Sequence, residues 1–161
     1  VIIRPGQIFG PGAENAAPNG VVAIGGRWIA VGPGAQLIPL VYVEDVVDAL
    51  LLAAAKGDVA ARCFNVVDPR QTRQEEYLAA VRGNSGHSVR VHRVPVPVFL
   101  CLAAVVELLG GILRRPVPLT RYRVRSLRPL ANFQLDAVRR DLGWEPRVGI
   151  EKGLAQTFHQ R

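Results

Sequence analysis

The chain opens on an apolar run, Val1-Ile2-Ile3, that turns polar and Gly/Pro-rich at Arg4-Pro5-Gly6-Gln7 and closes on Phe9-Gly10-Pro11-Gly12. A continuous apolar run ending in glycine and proline has the pattern of a buried parallel strand feeding a loop, here Pro5–Ile8. In open α/β sheets ligands sit beyond the carboxyl ends of such strands, so this loop is the first place to expect a bound small molecule. Two β-rich runs follow, Gly25–Val31 and Gln36–Val43. The Gly32-Pro33-Gly34 turn between them predicts a hairpin or a short return. From Val43 the chain is apolar almost all round through Ala54, with Glu44 and Asp45 at its start and Lys56-Gly57 at its end. That is a helix buried against a sheet, its acidic residues placed where a helix dipole prefers them.

Arg62–Val67 is a second buried strand, stopped by Asp68-Pro69. Thr72-Arg73-Gln74-Glu75 has capping-box spacing and predicts a helix over Gln74–Arg82. Ser88–Val94 alternates, with Val89, Val91 and Val94 against Arg90, His92 and Arg93, as in a strand with one exposed face. Pro95–Leu113 is the most hydrophobic stretch. Its two leading prolines, Glu107 and the expected break at Gly110-Gly111 argue against a membrane-spanning helix. They leave a buried or groove-forming helix, or one that lies on a membrane or meets a lipidic substrate with Arg114-Arg115 at the headgroups. Further helices are expected around Leu119–Leu127, over Phe133–Leu142 and over Ile150–Phe158, the last with Leu154, Ala155 and Phe158 inward.

Composition sharpens this picture at three points. Hydrophobic residues make up 49% of 161, enough for one domain and too many for a disordered chain. Cys63 and Cys101 sit in apolar runs without metal-ligand spacing and read as small buried hydrophobes; the three histidines form no ligand motif. The net charge of +7 lies wholly within 114–140, where eight arginines face Asp136 alone. Such a cluster suits a phosphorylated substrate, an anionic membrane or a solvated face; no nucleic-acid motif accompanies it, and nucleic acid is not an expected partner.

RPGQIFGPG, LVYVEDVVDALLLAA, FNVVD and LGWEPRVGIEKGL, in this order and spacing, resemble the extended short-chain dehydrogenase/reductase family, the NAD-dependent epimerases, dehydratases and 3β-hydroxysteroid-dehydrogenase-like enzymes. The resemblance implies an α/β fold: the last parallel strands of an NAD(P)-binding Rossmann-like sheet plus the small α/β substrate-binding region. Residues 1–12 and 40–68 would end the sheet with its helix, and 13–39 and 69–161 would form the substrate-binding portion of one incomplete domain. The family's glycine-rich loop and catalytic Tyr-x-x-x-Lys pair have no counterpart here, since Tyr42, Tyr77 and Tyr122 are followed four residues on by Val46, Val81 and Ser126. No catalytic residue is therefore expected in this chain, and a chain without neighbours for its first strand is expected to aggregate or stay molten.

By the same resemblance, Pro5, Gly6, Gln7 and Ile8 would lie beside the nicotinamide of NAD or NADP. Gln7, Tyr42 and Arg128 would touch substrate, either a nucleotide sugar or a hydrophobic, sterol-like alcohol. Asp45 would cap the helix it opens and lock the loop before it. The parent would be a cytoplasmic homodimer with a peripheral membrane contact as a further option. The alternatives are a non-catalytic dinucleotide binder of the same fold, or a membrane-surface module using residues 95–128.

Overall fold

The computed structural model describes residues 1–13, 16–24, 27–56, 63–84, 90–113, 117, 120, 122 and 132–158. The opening run forms β1 (Ile2–Pro5), parallel to β7 (Cys63–Val66), with Ile2 opposite Cys63 and Pro5 opposite Val66. Pro5–Ile8, expected as a loop, is extended. After Gly6 the chain continues as β2 (Gln7–Phe9), parallel to β6 (Leu40–Tyr42). The partner changes between two successive amides. The Gly6 amide donates to Val66 O at 2.9 Å and the Gln7 amide to Pro39 O at 2.6 Å.

The expected hairpin lies one turn earlier. β3 (Val21–Ile24) pairs antiparallel with β4 (Arg27–Val31), Ile24 opposite Arg27, and the Gly25-Gly26 turn itself lies outside the described residues. β9 (Arg90–Val94) joins β4 in parallel. Gln36–Val43 is two strands rather than one. Pro39 interrupts it, so β5 (Leu37–Ile38) pairs antiparallel with β8 (Thr72–Arg73) while β6 pairs with β2. The mixture of parallel pairs and helices is the α/β architecture expected.

The helices are α1 (Val43–Ala55), α2 (Gln74–Asn84), α3 (Val96–Leu113) and α4 (Gly149–Phe158), with a π-helical turn at Val138–Leu142 before α4. The cap of α2 is shifted by one residue from the expected box. Glu76 accepts from the Arg73 amide at 3.2 Å, while the buried Thr72 hydroxyl has no partner among the described residues. α3 runs straight through Gly110-Gly111, so two helical glycines do not break it. Gly143 ends the π turn at φ +68°, its amide donating to Arg139 O, the left-handed stop that a glycine accepts without strain. Two further expectations are corrected. Cys63 and Cys101 are exposed, on a strand and a helix face that their apolar neighbours leave open. Ala155 is exposed, and α4 turns Ile150, Gly153, Thr157 and Phe158 inward.

β6 sits between two cores, which is why Leu40, Val41 and Tyr42 are all buried. Leu40 and Tyr42 join Phe9, Trp28, Tyr77 and Phe158 on one face. Val41 joins Phe64, Val66, Leu142 and Trp144 on the other. A third cluster, Val31, Phe99 and Ala103, fastens α3 to the β3–β4–β9 sheet.

Candidate functional site

The carboxyl ends of parallel β1 and β7 meet at Pro5-Gly6 and Val67-Asp68. The Asp68 amide donates to Leu40 O at 2.9 Å, drawing β6 to the same edge. A shallow groove opens beside Val67 and Asp68, walled by Val67, Asp68, Gln71, Asn132, Phe133 and Leu135; Pro5–Ile8 and Tyr42 are not among its lining residues. It adjoins a smaller recess in which Leu37, Ile38 and Pro39 face Arg70 and Phe133. Asp68, Asn132 and Phe133 were not legible as site residues. Asp68 had the sequence signature of a strand stop, and its position beyond a parallel strand was the one available signal.

Asp68 holds this edge together. Its Oδ1 accepts the Arg70 amide at 2.7 Å, and its Oδ2 accepts the Ile150 amide at 3.1 Å. Burial pushes its pKa above the usual carboxylate value, with the Asp45 charge adding to the rise and the two amides and Arg70 opposing it. A raised folded-state pKa means that the unfolded chain loses its proton first. The associated stability is present below about pH 4 and is lost as pH climbs through the raised value. Wild type is therefore expected to lose stability over that interval relative to Asp68→Asn. Urea midpoints measured across it check this, and parallel curves for the two proteins would refute it.

Asp45 does not cap its own helix, whose first turn has no side-chain cap. Its Oδ1 accepts the amides of Arg147 and Val148 at 2.7 and 3.0 Å, and its Oδ2 that of Gly149 at 3.0 Å. The Asp45 carbonyl takes the Trp144 indole N–H at 2.9 Å. A carboxylate just before α4 also suits that helix's positive end. Two of the four sequence motifs are thereby joined, and α4 is fixed beside the groove.

The expected site residues are distributed unevenly. Pro5 and Ile8 are exposed at the strand ends, and Gly6 is pressed against Pro39. The Gln7 Oε1 accepts the Asn19 amide at 2.8 Å, and the fully buried Gln74 donates to Asn19 O at 2.9 Å, so the Gln7 amide is held through Asn19. Alternation along β2 turns Gln7 and Ile8 to opposite faces. Tyr42 is in the core, 5.5 Å from Phe9 ring to ring and against Gly153, and burial with Glu44 and Asp45 nearby raises its pKa. Arg128 and most of Leu119–Leu127 lie outside the described residues.

Residues 1–81 match the NAD dependent epimerase/dehydratase family. The chain is 27% identical over 169 residues to sterol-4-alpha-carboxylate 3-dehydrogenase ERG26, decarboxylating, of Candida albicans, covering 98% of this chain and 48% of that protein. It is 29% identical to 3beta-hydroxysteroid-dehydrogenase/decarboxylase isoform 1 of Arabidopsis thaliana, over 97% of this chain and 39% of that one. The solved structure of MoeE5 in complex with UDP-glucuronic acid and NAD shares the fold at a TM-score of 0.63 and 18% identity, over 98% of this chain and 45% of that one. The chain thus spans about half the length of the first curated relatives it matches. The matched half holds the partner switch at Gly6, the Asp45 segment and β7, and by it the chain belongs to the NAD dependent epimerase/dehydratase family.

Proposed function

We propose that the full-length protein is a nicotinamide-dependent enzyme that oxidises a secondary alcohol on a hydrophobic, sterol-like molecule. This chain would supply the nicotinamide side of the cofactor site and the substrate pocket. The observation that carries the reading is similarity over nearly the whole chain to relatives named as sterol-carboxylate and hydroxysteroid dehydrogenases. Leu37, Ile38, Pro39, Val67 and Phe133 would supply the apolar part of the groove, beside the polar Asp68, Gln71 and Asn132.

Pro5 and Ile8 offer exposed apolar surface near the strand ends. Those residues would hold and orient NAD or NADP. When bound, the nicotinamide supplies a hydride acceptor. The groove walls would exclude water from the alcohol, and Asp68 would hold their edge in place. Proton abstraction would belong to residues outside this chain, since none of its tyrosines has the family's lysine four residues on. A nucleotide sugar is the second reading, favoured by the arginine excess over 114–140 and by the MoeE5 fold likeness.

The test is to incubate the full-length protein with NAD⁺ or NADP⁺ and either a 4-carboxy-3β-hydroxysterol or UDP-glucose. Reduced nicotinamide formed with the sterol supports the reading. Turnover of UDP-glucose alone transfers it to the nucleotide sugar. Dinucleotide binding with neither substrate consumed makes the protein a non-catalytic binder.

A further inference from the structure

α3 has two apolar faces, and among the described residues only one of them is packed. Phe99 and Ala103 are buried against the β3–β4–β9 sheet. On the opposite side Val98, Leu102, Val105, Leu108 and Leu109 are 51% to 66% exposed, with Cys101 exposed among them. Their spacing of three and four residues lines them up as one stripe along the helix. Glu107, the helix's one charged residue, falls about 180° from Val98 at 100° per residue, so the stripe carries no charge. Five large exposed apolar side chains in one continuous row form an interaction surface, unlike scattered single ones.

Charge identifies the occupant. Ile29 and Val31 face α3, so Arg27, two residues earlier on β4, shares that face of the sheet. Arg90 lies directly opposite Arg27 in the parallel register, and His92 opposite Ile29. All three are exposed. Beyond the other end of α3 in the sequence come Arg114-Arg115 and the rest of the arginine-rich stretch. A second copy of the chain would bring +7 against +7 and set the same arginines against each other. An anionic bilayer offers an apolar phase for the stripe and phosphate and carboxylate headgroups for the cations beside it. No helix among the described residues is long and apolar enough to cross a membrane.

We propose that α3 lies in the plane of an anionic membrane surface, its Val98–Leu109 stripe in the acyl boundary and Arg27 and Arg90 at the headgroups. The test uses the full-length protein without substrate or cofactor, so its outcome is separate from that of the dehydrogenase reading. Co-sedimentation is measured with phosphatidylcholine vesicles, with and without about one-quarter phosphatidylserine. Wild type should partition onto the anionic vesicles, and added salt should weaken it. Leu102→Glu/Leu109→Glu, at exposed positions that a charge does not unfold, should lower partitioning about tenfold or more. Arg27→Ala/Arg90→Ala should remove only the gain due to phosphatidylserine. Leu50→Glu/Leu51→Glu, on the exposed side of α1, should change nothing. Independently, Leu102→Trp should shift its emission to the blue on adding anionic vesicles. No binding of wild type to either vesicle overturns the proposal. So does equal binding of the Leu102→Glu/Leu109→Glu variant, or an effect of that variant confined to self-association.

Discussion

Asp45→Ala is expected to lower the unfolding free energy by about 3 kcal/mol, a large share of a domain's margin. Asp45 is 1% exposed and accepts three consecutive backbone amides, so alanine leaves all three without their acceptor. Asp45→Asn keeps one acceptor oxygen and turns an N–H₂ toward the third donor, so it should recover about half of the loss. Urea denaturation gives the two values. Hydrogen exchange at Arg147, Val148 and Gly149 gives their location, because protection there should fall before protection in β6. A loss under about 1 kcal/mol would mean that water replaces the carboxylate.

Gly6→Ala should cost about as much for an unrelated reason. An added Cβ would stand 2.3 Å from Pro39 O, a backbone atom that cannot swing aside. Relief requires β2 to part from β6, which breaks the Gln7–Pro39 bond and moves Pro5–Ile8. A loss of about 3 kcal/mol is expected from such overpacking. On the proposed function, dinucleotide binding should weaken with it. Gly83→Ala is the control: no described atom lies within 4 Å of its added Cβ, and in the last turn of α2 it should stabilise by up to about 0.5 kcal/mol. Equal midpoints for Gly6→Ala and wild type would refute the steric account.

What was legible in the residues was local. The apolar runs at Ile2, Leu40 and Phe64 form strands, and the stretches at Val43 and Val96 form helices, but of the strands expected to be buried β6 is fully so, β7 only through Phe64 and Val66, and β1 is largely exposed. What was not legible depends on partners far along the chain. Nothing near Gly6 says that its two sides pair with different strands. Gly25-Gly26 and Gly32-Pro33-Gly34 carry equal turn chemistry, and the pairing of β4 with β3 and β9 decides between them. Asp45 has the composition of a first-turn acid, yet its three partners lie about a hundred residues on. In the candidate site, Pro5–Ile8 sits at the strand ends where a parallel run suggests a ligand. Tyr42 is taken up by the core, and the Asp68 and Phe133 walls emerge from the meeting of β7 with the segment before the π turn.

The core on the Leu40 face joins Phe9 to Phe158. A ribosome delivers these two residues one at a time, separated by nearly the whole chain. Until α4 emerges, Phe9, Tyr42 and Tyr77 have no lid, and the Asp45 carboxylate lacks its Gly149 donor. Little can therefore be gained by folding during synthesis, and the waiting intermediate exposes the strands most able to pair with a neighbour's. Loss of the last ten described residues would leave the polypeptide in that condition permanently, so truncation before α4 should act on cellular abundance far more than its short length suggests.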